Sequence, residues 1–148
     1  MNLYEQLIIG IKQLNELTSE VTKPTDPDDI PDSYVFLLFM IYRKGKVKTN
    51  ELSDYFSITP GAATAIADKL ENLELISRNR DPRDRRIIQI ELTEKGQRYV
   101  DQRKSEHITL FQTILQEYSE EELRETVRML NKLSGSIASY QQSGGILQ

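Results

Sequence analysis

The 148-residue sequence contains no cysteine, no tryptophan and a single histidine. Without thiols there is no disulfide frame, no thiolate nucleophile and no cysteine-based zinc or redox site. One imidazole, His107, without cysteine and without a clustered carboxylate is a poor transition-metal site. No nucleophile-base pair and no phosphate-cradling glycine loop is visible either, so neither enzymatic activity nor a cofactor or metal is expected. Long hydrophobic runs are also missing. The longest unbroken apolar stretch, Tyr34 to Tyr42, falls far short of the ~20 residues that span a bilayer, so it reads as a buried helix and no membrane partner is expected. The N-terminus lacks a basic n-region and a small-residue cleavage site, which makes the cytoplasm the expected location.

What is present is ordinary globular usage, 38% apolar and 28% charged, in a length that suits one domain. The net charge is −4 and the sequence pI about 5.1, which by themselves argue against a nucleic-acid partner. The charge is unevenly placed. Residues 1–42 hold two basic and seven acidic side chains and residues 105–148 hold three and six, whereas residues 43–104 hold fourteen and ten. A basic centre lies between acidic ends, an asymmetry that the total conceals.

The ends read as helices. Leu3, Leu7, Ile11, Leu14, Leu17 and Val21, widened by Ile8, recur at steps of three and four, the period of an amphipathic helix. The stretch Thr22 to Pro31, with three prolines and three aspartates, reads as a loop. A second helix is expected over Ser33 to Lys44, stopped by Gly45, with Arg43 and Lys44 in its last turn. Thr49 opens a short helix, Asn50 to Phe56, with Leu52, Tyr55 and Phe56 as apolar contacts. Only Ser57 and Ile58 separate it from Thr59, a good N-cap, and Pro60, which suits the first helical position. That helix runs through Ala62, Ala63, Ile66, Ala67, Leu70 and Leu73.

Beyond Leu75 the period changes to alternation. Leu75 to Arg80 and Arg86 to Leu92 read as two strands joined at Asp81-Pro82-Arg83-Asp84, with Ile88, Ile90 and Leu92 on one face. Thr93 caps a long helix carrying Val100, Lys104, His107, Phe111, Ile114 and Tyr118. Ser119 and Glu122 form a capping box for a last helix with the stripe Leu123, Val127, Leu130, Leu133 and Ile137. Glu120-Glu121-Glu122 sits in its first turn, where the helix dipole favours anions. The tail, 143–148, is expected to fray.

Two features carry chemistry. In a helix-turn-helix the second helix lies in the major groove, so its outer face must be small and polar. Here Thr59, Pro60, Gly61, Ala62, Thr64 and Ala65 offer such a face, with Lys69 one turn further on. Two short helices joined by a tight turn also occur in ordinary cores, so this feature alone leaves both readings open. The hairpin adds Arg78, Arg80, Arg83, Arg85 and Arg86 within nine residues. Arginine's rigid fork suits phosphate contact and insertion into a narrow minor groove, and Asp84 is placed to orient an arginine. A solvated hairpin with internal ion pairs would explain such a run in isolation. A recognition-type helix followed directly by an arginine-tipped hairpin points to DNA.

The stretch from Glu51-Leu52-Ser53-Asp54-Tyr55-Phe56 through Ala65-Ile66-Ala67-Asp68-Lys69-Leu70-Glu71, then Leu75-Ile76, Asp81-Pro82-Arg83-Asp84-Arg85-Arg86 and Leu92-Thr93-Glu94-Lys95-Gly96, resembles the multiple-antibiotic-resistance regulator (MarR) family. The resemblance implies a mainly α fold with a small β-hairpin: a winged helix-turn-helix lobe over residues 32–98 and a helical dimerisation region over 1–31 and 99–142. It also implies a homodimer that binds pseudo-palindromic double-stranded DNA, acts as a repressor, and is relieved by a small ligand in the dimer-domain cleft. By family position Arg86 is the wing-tip arginine entering the minor groove, Asp84 holds it, and Thr59 to Thr64 enter the major groove. The chain departs from the pattern in two places. Members often carry arginine directly after the threonine of the recognition helix, where this chain has Ala65, which moves the expected base contacts from guanine towards thymine methyls and DNA shape. The Thr22–Pro31 loop is longer and more acidic than the usual link.

The hydroxyls of Tyr34 and Tyr42, at the ends of the apolar segment, are the polar handles of a candidate ligand cleft. His107 is expected to pack or hydrogen-bond at the dimer interface. The alternative to a DNA-binding regulator is a winged-helix protein-interaction module that does not touch DNA, which would account for the acidic pI.

Overall fold

Capping chemistry decides where several of the helices begin. In a computed structural model, which describes residues 1–23, 30–56 and 58–144, Asn2 and Glu5 form a reciprocal capping box that starts α1, Leu3–Val21. The rest of the expected acidic loop, residues 24–29, lies outside the described residues, as do Ser57 and 145–148. α2, Asp32–Lys44, ends at Gly45, whose φ of +80° favours glycine and whose N–H donates to the Ile41 carbonyl. α3 covers Thr49–Phe56. α4 covers Pro60–Asn72, with the Thr59 hydroxyl accepting from the Ala62 N–H at 3.1 Å and Pro60 in the first turn. Leu73, expected inside this helix, is its C-cap.

The hairpin strands are β2, Ile76–Arg80, and β3, Ile88–Leu92. The second starts later than alternation suggested, because Arg86 and Ile87 belong to the turn: the Ile87 N–H donates to the Asp84 carbonyl at 3.0 Å. A third strand that the sequence reading missed, β1, Lys46–Lys48, makes the sheet three-stranded and antiparallel in the order β1-β3-β2. Val47 pairs with Ile90 and Lys48 with Gln89 on one side of β3, while Arg78 pairs with Ile90 and Arg80 with Ile88 on the other. Three residues are too few to show a period, and this strand exists because β3 offers it an edge.

α5, Glu94–Ile114, is opened by Thr93, whose hydroxyl accepts from the Gly96 N–H at 3.0 Å. It stops before Tyr118, which lies in the turn that follows and so is not on the helical stripe expected for it. The capping box of Ser119 and Glu122 then starts α6, Glu120–Gln142, as expected. The bonds from Ser119, the backbone N–H first, hold the Glu122 carboxyl below its ordinary range.

The chain divides into two compact units, residues 1–107 and 108–148. The core of the first joins Leu37, Leu38 and Ile41 of α2, Val47 of β1, Leu52 of α3, Ala63, Ala67 and Leu70 of α4, Ile76 and Ile90 of the sheet, and Val100 of α5. Each of these is almost wholly buried, which at about 25 cal/mol per Å² of apolar area makes this cluster the main stabilising element of the unit. The apolar α2 segment, expected to be buried, is not buried on every side: Leu37, Leu38 and Ile41 are, but Phe36 is 54% exposed. α1 and α6 contain no buried residue at all.

Candidate nucleic-acid interface

α4 separates its small residues by face. Ala63, Ala67 and Leu70 turn inward against the core, while Thr59, Pro60, Gly61, Ala62, Thr64, Ala65, Asp68 and Lys69 are exposed. The Thr64 hydroxyl donates back to the Pro60 carbonyl at 2.9 Å, so its proton is committed to the helix. The Lys69 ammonium lies 5.2 Å from the centre of the Tyr34 ring, a cation-π contact that draws the long side chain towards α2.

The wing is shaped by two aspartates. Asp81 Oδ1 accepts the backbone N–H groups of Arg83 at 2.7 Å and Asp84 at 3.2 Å, an Asx-type turn, and Oδ2 accepts the Gln89 side-chain amide. Those two backbone donors, Arg83 first, hold the Asp81 carboxyl below its usual range. Asp84 grips Arg86: Oδ1 accepts from Nε and Oδ2 from Nη2, each at 3.1 Å, and Oδ1 also accepts the Arg86 backbone N–H. This fork-to-fork pair depresses the Asp84 carboxyl, chiefly through the guanidinium. The Arg86 side chain nevertheless remains 90% exposed. A fixed direction combined with full exposure is what a probe of a groove requires. Arg80, Arg83 and Arg85 are exposed along the same hairpin.

Arg78 behaves differently from the other four arginines. Its side chain is only 24% exposed and turns back onto α4, donating to Glu71 from Nη2 at 3.0 Å and from Nε at 3.3 Å and pairing with Asp68. The bond from Arg78 lowers the Glu71 carboxyl, and the reciprocal bond raises the guanidinium. Asp68 and Glu71 were not singled out from sequence, although an acidic pair three residues apart on one helix face was the available signal.

The tyrosine handles are both half-buried against the core. The Tyr42 hydroxyl accepts from Lys104 Nζ at 3.2 Å, and the same ammonium sits 4.7 Å from its ring centre. The His107 ring stacks on Phe39 with centroids 6.2 Å apart. Among the described residues no group of three or more metal-ligating side chains occurs, and no helix is long and apolar enough to cross a membrane.

The MarR family model matches residues 31–88, which run from the start of α2 to the first residue of β3. The HTH-type transcriptional regulator MhqR of Bacillus subtilis (strain 168) is 30% identical over 97 residues, 66% of this chain and 67% of that protein. The HTH-type transcriptional repressor MdtR of the same organism is 24% identical over 119 residues, covering 80% and 77%. Among solved structures, Streptococcus pneumoniae FabT in complex with DNA superposes with a TM-score of 0.70 at 23% identity, over 93% of this chain and 96% of that one. A MarR mutant from E. coli complexed with operator DNA gives 0.64 at 22% identity, over 90% and 99%. These solved structures share the fold with this chain.

Proposed function

The chain belongs to the MarR family, and on that premise we propose that it is a sequence-specific, homodimeric DNA-binding transcriptional regulator that acts in the cytoplasm as a repressor. The observation that carries the reading is the pairing of a small, polar, exposed face on α4 with an Arg86 guanidinium that Asp84 orients and leaves open. Thr59, Pro60, Gly61, Ala62, Thr64, Ala65 and Lys69 read the major groove, largely through thymine methyls and shape. Arg80, Arg83, Arg85 and Arg86 serve the wing, with Arg86 in the minor groove. Arg78, turned onto α4, supports this surface from behind.

Dimerisation is supported by α1 and α6, whose apolar stripes lie open in the single chain: Leu7, Ile8, Ile11, Leu14, Val127, Leu130 and Ile137 are each 43% exposed or more. Such stripes seek a partner surface, and a second copy related by a two-fold supplies one. Two lobes on that axis place half-sites one helical turn apart, about 34–36 Å. In this reading DNA is released when a small ligand engages the hydroxyls of Tyr34 and Tyr42, the second of which accepts from Lys104.

Selection from a random-sequence duplex pool, followed by a mobility-shift titration at two salt concentrations, tests the reading. The expected outcome is a two-fold-related motif bound with a steep salt slope. A protein that enriches no sequence and shows no salt-dependent binding is the interaction module instead.

A further inference from the structure

We infer that the groove between the β1–α3 corner and the base of the wing seats a backbone phosphate of the DNA strand bordering the minor groove, an assignment that rests on the DNA-binding reading above. The groove has a volume of about 300 Å³ and is lined by Lys48, Thr49, Asn50, Arg86, Ile87 and Ile88. Its lining combines two cations, a side-chain amide and an apolar wall. That set matches a sugar-phosphate strand, since the cations and amide meet the anion and the isoleucines meet the faces of deoxyribose.

The charge of Lys48 is available to a ligand. Its neighbours Lys44 and Lys46 are paired with Glu51 at 3.7 Å and Glu91 at 3.4 Å. The exposed Lys48 side chain has no carboxylate in salt-bridge range among the described residues, and β1 holds its backbone in register with Gln89. The acids close by are already committed. Glu51 Oε2 accepts the Lys48 backbone N–H at 2.6 Å, Asp81 is bonded to Arg83, Asp84 and Gln89, and Asp84 to Arg86. Asp81 attracts Lys48 only at longer range, through charge and not through a direct contact, and a cation so placed beside acids whose oxygens are already bonded favours an incoming phosphate.

Position supplies the rest. With α4 in the major groove and Arg86 in the minor groove, the strand dividing the two must run past the flank of Arg86, and this groove opens on that flank. Lys48 is therefore a phosphate contact that fixes register and carries no sequence information.

The test uses full-length protein and a duplex captured by the wild type from a random pool. Lys48→Gln is expected to flatten the plot of log affinity against log salt by about 0.9 for each engaged protomer, equally for preferred and scrambled duplexes. Lys48→Arg is expected to restore the slope, which separates charge from folding. An unaltered slope in Lys48→Gln overturns the seat while leaving DNA binding intact, whereas a wild type that binds no duplex removes the DNA reading and the seat with it. Saturable binding of inorganic phosphate alone, followed through the amide signals of Lys48 and Asn50 at constant ionic strength, would assign the groove to a free anion and overturn the strand assignment.

Discussion

Arg78 on β2 reaches back to Glu71 on α4 with two hydrogen bonds, 3.0 and 3.3 Å long, and so couples the base of the wing to the recognition helix. The same guanidinium also pairs with Asp68, which is exposed on the α4 face proposed to meet DNA. Two carboxylates on that helix would repel phosphates, and Arg78 offsets part of that charge from behind.

Replacing Arg78 with alanine is expected to lower DNA affinity roughly tenfold while costing about 1 kcal/mol or less of stability, because both carboxylates are more than a third exposed. Adding Asp68→Asn and Glu71→Gln to that variant should return most of the affinity, since the unmasked charge is then gone. A triple variant as weak as the single one would contradict the masking role. The pH dependence has a definite sign. The Arg78 bond depresses the Glu71 carboxyl below its ordinary 4.5, so its stabilisation is complete above that value and is lost as pH falls through the depressed value. The stability gap between wild type and Arg78→Ala, measured by urea unfolding, should therefore narrow only in acid.

Arg86→Ala should weaken DNA binding about ten- to a hundredfold in a mobility-shift titration. Thermal stability should hardly change, because the side chain is 90% exposed. Asp84→Ala should cost less, since it frees the guanidinium without removing it. The double variant should be no weaker than Arg86→Ala alone, as two residues acting through one contact are not additive. Additive losses would show that Asp84 acts independently of Arg86.

The corner after α4 yields a pair of opposite stability effects. A Cβ on Gly96 would lie 1.9 Å from the Leu75 carbonyl oxygen, backbone that cannot step aside. Gly96→Ala should therefore cost about 2 kcal/mol or more, read as a fall in the urea midpoint. Glu74, one residue before Leu75, holds a φ of +60°. Glu74→Gly should add about 1 kcal/mol of stability, read as a rise in the midpoint, less a small loss from its exposed pair with Lys95.

The open stripes on α1 and α6 predict an oligomeric state. Leu14→Asp and Leu130→Asp, at positions 56% and 46% exposed in the single chain, should shift sedimentation from dimer towards monomer. They should also abolish the dependence of melting temperature on protein concentration. Both variants sedimenting as dimers would place the interface elsewhere.

Much of this protein is written in short-range chemistry. Thr59 before Pro60, Ser119 three residues before Glu122, and Gly45 after Arg43-Lys44 mark helix boundaries, because each cap joins atoms within one helical turn. Spacing alone places Asp84 to orient an arginine; the family resemblance implied Arg86, two residues on, and the bond is there. Other decisions needed the chain to close on itself. Lys46–Lys48 became a strand only where β3 presented an edge more than forty residues later, which brought Lys48 to the flank of the wing. Arg78, one of five arginines in a charge run, was drawn to the helix by carboxylates seven and ten residues earlier that only the packing of α4 beside β2 brings within reach. Residue type and spacing determined which elements form and that an arginine-rich wing follows a helix-turn-helix. Tertiary structure decided which arginines remain free for a ligand, because the nearest opposite charge in space, not in sequence, sets where a long cationic side chain points.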